Sequence, residues 1–413
     1  MMKRTLYTHC NLIDCVSDEV KPDSWILIEG NRISKIGTGN DYPKDQDIPV
    51  VDVGNEYLMP GLINLHVHIH RRFFHYPSIK GSFKQRAKAI NSADINKRML
   101  LSLKNAWDEL QHGCTTIRDV SSKDRLANFL RDCINEGIFN GPRVFSSGYG
   151  IACTGGHGTH AFGDSVEADG PDEFRKAARM EIKCGADIVK LKGGGGLGSM
   201  PKEHPYWEEL TMDELRAAIE EGHKRDKHVT IHAMGTQVIK NALKAGIDGI
   251  EHGCVLDEEC LDIMAAHDVH FCPTMSGITG VAQREKDFGN PEVAEIMFRD
   301  VVWKQRESVK KAHERGILLG CGTDTQGDML IEMDLFEQCG LSPIEALRTA
   351  TANAAIFVDL GDQLGTIEQG KIADMIIVKE NPLENIYHLS NLTMVLKDGV
   401  KVSEQWMCNL HNW

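Results

Sequence analysis

Two histidines, His66 and His68, stand two positions apart at the end of an apolar run, Leu58-Met59-Pro60-Gly61-Leu62-Ile63-Asn64-Leu65. In an extended strand, residues i and i+2 share a face. The pair can therefore present two imidazoles to one transition metal. An isolated His-x-His is more often a pair of ordinary core or surface side chains. Here similar residues close similar runs further along the chain. Lys190 lies in Ala186-Asp187-Ile188-Val189-Lys190-Leu191-Lys192, His232 in Thr230-Ile231-His232-Ala233, and His252 in Gly249-Ile250-Glu251-His252-Gly253. Asp324 ends Gly320-Cys321-Gly322-Thr323-Asp324. Each has a plain structural reading alone, but all of them at successive strand ends would be an improbable accident.

The elements that must position these residues alternate in type. Strands are expected at Gly61–His68, Thr115–Val120, Arg143–Ser147, Ile188–Lys192, Val229–Ala233, Gly249–His252, His270–Thr274 and Leu318–Thr323. Helical patterns such as Met212–Arg225 and Thr236–Ala245 lie between them. Thr211 followed by Glu214 gives the first of these a capping box. About eight strand-helix repeats predict an α/β fold, a parallel (β/α)8 TIM barrel over residues 59–361, with its chemistry at the C-terminal ends of the strands. Both ends of the chain read instead as short strands and hairpins, with turns at Gly30-Asn31 and Asp398-Gly399. They are expected to form one small β-sandwich domain from residues 1–58 and 362–413.

Composition narrows the function classes. The chain has 413 residues, 41% hydrophobic and 26% charged, the range of a globular protein. A net charge of -14 argues against nucleic acid as a partner, because no basic field replaces phosphate counterions. The basic stretch from Arg71 to Arg98 reads mainly as a solvated loop and helix face. No apolar run reaches the length of a membrane span, so no membrane partner is expected. The N-terminus lacks the apolar core of a signal peptide, and a cytoplasmic location is expected. The 12 cysteines show no C-x-x-C pair and read as reduced thiols. Cys272 and Cys321 at strand ends give weak support to a thiolate role.

The chain resembles the amidohydrolase superfamily of metal-dependent hydrolases. The resemblance rests on Pro60-Gly61-Leu62-Ile63-Asn64-Leu65-His66-Val67-His68, on Lys190, His232, His252 and Asp324, and on two C-terminal runs, Leu341–Leu347 and Gly365–Asp374. It extends over nearly the whole chain. It implies a binuclear centre of two divalent ions, with zinc the expected metal, although cobalt, manganese or iron would also suit the donors. His66, His68 and Asp324 would hold the more buried ion, and His232 and His252 the more exposed one. Lys190, carboxylated by CO2 to a carbamate, would bridge both. Lys192 has the same strand parity, and the family spacing Ala-Asp-x-x-Lys selects Lys190. The implied reaction is hydrolysis of an amide C–N bond by a metal-bridging hydroxide, with Asp324 moving the proton to the leaving nitrogen.

The substrate is less legible. The loop Thr154-Gly155-Gly156-His157-Gly158-Thr159-His160 resembles one in the prolidase-like branch, which includes Xaa-Pro and Xaa-Arg/Lys dipeptidases. That branch implies a dipeptide or N-acyl amino acid as the small-molecule substrate, with His157 on the substrate carbonyl or developing oxyanion. Arg71 and Arg72 can each pair with a substrate carboxylate or merely bridge to acidic loops. Arg118-Asp119 reads as an internal ion pair, and Met234 and Met275 read as packing. Other amides, ureas, carbamates and cyclic amides remain as alternatives, with a phosphotriester or lactone hydrolase or an inactive binding protein further away. Imidazolonepropionase is a relative by overall pattern, but its single metal needs no bridging lysine. The family also implies a homo-oligomer.

Overall fold

In the computed structural model, residues 4–72, 81–160, 162–200 and 203–402 are described. The two ends of the chain meet in one sheet of eight strands. Tyr57–Pro60 pairs antiparallel with Met375–Val378, which joins the N-terminal and C-terminal parts. The expected hairpins form at Gly30-Asn31 and Asp398-Gly399. The expected sandwich is thus hydrogen-bonded as a single sheet, and alternation explains how it works with two faces. Leu58, Met375 and Ile377 point into the core of the small domain. Met59, Ile376 and Val378 point into the large core of the remaining chain. A strand buried on both faces reads as a continuous apolar run, as Met375-Ile376-Ile377-Val378 does. Each such side chain contributes about 1.5–3 kcal/mol when buried.

Between these ends, strands and helices alternate as expected, and neighbouring strands are parallel. Leu62–Val67, Cys114–Asp119 and Arg143–Ser146 form a three-stranded sheet. A second sheet of six runs Ser165–Glu167, Gly150–Ala152, Val189–Lys192, Val229–Ala233, Gly249–His252, His270–Cys272. The strands Gly150–Ala152 and Ser165–Glu167 were not expected. They flank the glycine-rich loop around His157 and fix its two ends.

The expected eighth strand, Leu318–Thr323, forms no ladder. It makes isolated bridges to both sheets instead. Gly320 N–H donates to Phe271 O at 2.9 Å, Leu65 N–H to Cys321 O at 2.9 Å, and Asp324 N–H to His66 O at 2.7 Å. The local sequence explains the departure. A Cβ at Gly322 would sit 2.7 Å from His66 Cβ, so this segment runs too close to its neighbour for side chains. Asp324 then takes a left-handed φ of 52° and turns the chain. On the other side, Asp187 N–H donates to Ser146 O at 2.7 Å and ties the sheets together.

The helix Met212–His223 starts with the expected capping box between Thr211 and Glu214, and Thr236–Ala245 has the expected bounds. None of the described cysteines is in a disulfide. Burial pushes the Cys272 and Cys321 thiols well above their usual range, which removes the thiolate reading for both. Among the described residues, no helix is long and apolar enough to cross a membrane.

Candidate active site

The strand ends converge as their sequence positions require. His66 and His68 close Leu62–Val67, Lys190 sits in Val189–Lys192, His232 in Val229–Ala233, and His252 ends Gly249–His252. All five line one cleft with Asp324 and His157. The ring centroids of His66 lie 5.3 Å from His68 and 4.9 Å from His252, and those of His232 and His252 are 4.6 Å apart. His66, His68 and Asp324 bring their donor atoms within 4.8 Å of one another.

Each imidazole is anchored through one nitrogen. His66 Nδ1 donates to Glu251 Oε2 at 2.7 Å. His68 Nδ1 donates to Ser121 O at 2.9 Å, and its Nε2 lies 3.4 Å from Asp324 Oδ1. His232 Nε2 donates to Gly195 O at 3.2 Å, and His252 Nδ1 pairs with Thr274 Oγ1 at 2.7 Å. In every case the other nitrogen remains for a ligand, as in metal-binding histidines oriented by outer partners. Burial lowers the pKa of all four, so they are neutral, the form that ligates.

Burial alone would raise the Asp324 carboxyl. The neighbouring His66, His252 and Arg71 and the Thr325 hydroxyl bring it down to about 2, so it is an anion. Lys190 is the reverse case. It is 2% exposed, and its Nζ has no hydrogen-bond partner among the described residues. Burial pulls its pKa down to about 8, against the attraction of Glu251 and Asp324. An unpartnered buried amine costs free energy, and its neutral form is the one that adds CO2. Lys192 differs sharply. Its Nζ donates to Asp164 Oδ1 at 2.7 Å. The ion pair separates two lysines that strand parity alone could not.

The donor set therefore fits divalent ions: neutral imidazoles, one carboxylate and one orphaned amine able to become anionic. A second group, His66, Glu251 and Cys272, also lies within the same reach. Glu251 already accepts from His66, from Arg118 Nη2 at 2.6 Å and from Thr230 Oγ1 at 2.6 Å. It is better read as the support of His66 than as a ligand. Neighbouring cations hold its carboxyl well below the usual range in spite of burial. Sequence reasoning missed Glu251, whose one signal was its place beside His252.

His157 stacks on His232 at 4.1 Å and pairs through Nδ1 with Glu203 Oε2 at 3.0 Å. The same Glu203 oxygen accepts from Gly196 N–H at 3.1 Å. A Cβ at Gly196 would overlap the His157 ring, so glycine there is what lets the ring reach the cleft. Arg71 also lines the cleft, pairs with Asp164 at 2.9 Å and lies 4.0 Å over the Phe162 ring. Arg72 does not reach the cleft. Its guanidinium donates to Thr323 Oγ1 at 2.6 Å and Asp324 O at 2.9 Å and pairs with Glu109 at 2.7 Å. It braces the turn that presents Asp324.

Arg118 and Asp119 do not pair with each other. Adjacent strand residues point to opposite faces, and Arg118 reaches Glu251 while Asp119 accepts from Ile69 N–H at 2.7 Å. Met275 packs in the core as expected, whereas Met234 also lines the cleft.

These features define a cleft of candidate metal donors, and comparison with known proteins shows the family to which it belongs. The pattern of the amidohydrolase family matches residues 57–402, and the chain belongs to that family. It is a metal-dependent enzyme that acts on amide bonds in small-molecule substrates. Ochratoxinase of Aspergillus niger is 28% identical over 392 residues, with 87% of this chain and 78% of that protein covered. A solved Xaa-Pro dipeptidase with methionine bound in its active site is similar at 31% identity and a TM-score of 0.86, covering 97% of this chain and all of the other. A prolidase solved with N-methylphosphonate-L-proline is similar at 28% identity and a TM-score of 0.85, covering 98% of this chain and all of the other. Such neighbours imply a TIM-barrel domain with a small β domain.

Proposed function

We propose that this protein hydrolyses the amide bond of a dipeptide or N-acyl amino acid, with two zinc ions held by His66, His68, Asp324, His232, His252 and a carboxylated Lys190. The observation that carries the reading is the Lys190 amine, buried and unpartnered among four neutral imidazoles and a carboxylate. The likeness to a dipeptidase and a prolidase over nearly the whole chain supports the substrate class. The proposal includes closure of the two parallel sheets into a (β/α)8 barrel over residues 59–361, with the described residues of 1–58 and 362–413 as the second domain.

The chemistry such ions supply when bound is a hydroxide nucleophile at neutral pH and polarisation of the scissile carbonyl. The chain's own groups do the rest. Asp324, ionised and beside His68, accepts the proton of the attacking water and returns it to the leaving nitrogen. His157, held at Nδ1 by Glu203, carries when doubly protonated an Nε2–H for the developing oxyanion. The apolar side chains of Phe83, Leu197, Ile278 and Val281 line the cleft and exclude water.

A library of dipeptides and N-acyl amino acids, assayed with zinc and bicarbonate supplied, tests the reading. Cleavage of one class with release of a free amino acid is expected. If the metal-loaded protein cleaves none of them but does cleave simple ureas or carbamates, the substrate assignment is wrong.

A further inference from the structure

The cleft is closed in this structure. It encloses about 40 Å³, room for a few water molecules, whereas sites for small ligands run to about 300–1,000 Å³. A dipeptide or N-acyl amino acid enters only if a wall moves. The metal-donor side is fixed by strand ends. The opposite wall is apolar and consists of Phe83, Phe162, Leu197, Met234, Ile278 and Val281. All six are buried in a small cluster separate from the large core.

Phe83 opens the helix Phe83–Asn91, which carries a capping box between Ser82 and Gln85. Phe83, Ala87 and Ile90 stand at i, i+4 and i+7 and form its buried face, while Lys84, Gln85 and Lys88 are exposed. The main supports of this helix are Leu197–Ser199 and the helix Met275–Phe288, and neither is a strand. Its two ends are held differently. At the C-terminal end, Asn91 O accepts from Lys123 Nζ at 3.1 Å and from Arg98 Nη1 at 3.2 Å. At the N-terminal end, Phe83 N–H donates to Glu285 Oε1 at 3.2 Å, and the Phe83 ring meets Phe162 edge to face at 5.7 Å. The Gly198 backbone packs against the same ring, since a Cβ there would fall 2.4 Å from Phe83 Cε1. The Phe83 end is thus seated largely by apolar contact, which an apolar ligand can replace as the helix lifts about Asn91.

Charge decides what such a ligand carries. Among the described residues that line the cleft, Asp324 is the one carboxylate, and it faces His68. Arg71 and Lys192 add two cations. A lysine or arginine side chain of a substrate would find no counter-ion of its own there, and burying an unpaired cation is costly. A leucine-sized side chain would restore the contacts that Phe83 gives up.

We propose that the helix Phe83–Asn91 is a lid on the metal cleft and that Phe83 selects an apolar substituent beside the scissile amide over a cationic one. The proposal rests on the amide-hydrolase reading above and narrows its substrate class. Of the dipeptidase types that the loop around His157 resembles, it sets aside Xaa-Arg/Lys. In the free protein Phe83 fills the space that the substituent takes, and in the complex it packs on that substituent.

The test compares N-acetyl-L-leucine with N-acetyl-L-lysine on the metal-loaded protein. The wild type is expected to prefer leucine in kcat/KM by roughly 100-fold, and Phe83→Ala should shrink that ratio about tenfold, chiefly through a higher KM for leucine. Phe83→Leu, which keeps an apolar side chain, should retain more of the ratio. Equal losses on both substrates, or a wild type that cleaves both alike, overturn the selection while leaving the amide-hydrolase reading intact. If neither compound is cleaved, that reading is in question, and titration calorimetry with the same two compounds still decides the selection. Tighter leucine binding, weakened in Phe83→Ala, supports it, and equal or absent binding refutes it. Hydrogen exchange tests the lid, because so short a helix is marginal away from its support. Saturating N-acetyl-L-leucine should slow exchange in the helix at least about fivefold, and Phe83→Ala should remove that protection. Exchange that the bound compound leaves unchanged refutes the lid.

Discussion

Glu251 offers the sharpest test of how the site is held. Its carboxylate is 1% exposed and takes three hydrogen bonds, from His66 Nδ1, Arg118 Nη2 and Thr230 Oγ1, all within 2.7 Å. Glu251→Gln keeps the shape and removes the charge. Arg118, itself 3% exposed, would then have no counter-ion, since its Nε is occupied only by Leu65 O. Breaking one side of a buried pair costs about 3–5 kcal/mol, on the order of a 10 °C fall in Tm for a domain of this size. A second effect falls on His66. If the new amide turns its NH2 toward His66 Nδ1, that nitrogen must accept, and the ring proton moves to Nε2, the atom that should ligate. Metal affinity should therefore drop about 10- to 100-fold. The assay has two arms. Unfolding of the metal-free protein isolates the charge effect, and chelator competition in the loaded protein reports affinity. Adding Arg118→Met should restore part of the stability but not the affinity, because it removes the stranded cation and leaves the tautomer problem. A Tm change under about 2 °C together with unchanged metal affinity would refute the reasoning.

Two further outcomes are expected. Lys190→Ala should reduce bound metal below the wild-type stoichiometry and abolish hydrolysis, and a short carboxylic acid such as propionate should restore part of both by supplying the missing anionic bridge. Metal analysis by atomic emission with and without the acid checks this, and full metal content in the variant would remove Lys190 from the ligand set. Glu332 supplies a pH test. It is fully buried, and its carboxyl is raised to about 7 by burial, against two backbone N–H donors from Met275 and Ser276. An acid with a raised folded pKa stabilises most below its unfolded value near 4.5, and that contribution is lost as pH rises toward 7. Relative to Glu332→Gln, the wild type should lose up to about 3 kcal/mol between pH 4.5 and 7 and then level off. Denaturant curves of both proteins across that range should diverge, and parallel curves would show that Glu332 titrates normally.

The sequence made the candidate metal-binding residues legible because each lies at or near the end of an apolar run whose periodicity is local. His66 and His68 share a face by strand geometry alone, and His232 and His252 follow from the same rule. The eighth strand was less faithful. Gly320 and Gly322 let Leu318–Thr323 approach its neighbours closely, and it makes isolated bridges where a ladder was expected. The strands at Gly150–Ala152 and Ser165–Glu167 went unseen because three residues each are too few to show a period.

The remaining decisions needed long-range partners. Arg71 and Arg72 are equivalent in sequence, yet one meets Asp164, 93 residues away, and faces the cleft, while the other meets Thr323, 251 residues away, and braces Asp324 from behind. Glu251 matters through His66, 185 residues distant, a distance no local pattern spans. Lys190 and Lys192 have one parity and one composition. Only the placement of Asp164 gives Lys192 a counter-ion and leaves Lys190 an unpaired amine. The sequence by itself thus determined which residue types gather at the strand ends, because periodicity acts over a few positions. Charge state, tautomer and the direction each cation faces were decided only by tertiary structure, because they depend on burial and on partners that the fold brings from far along the chain.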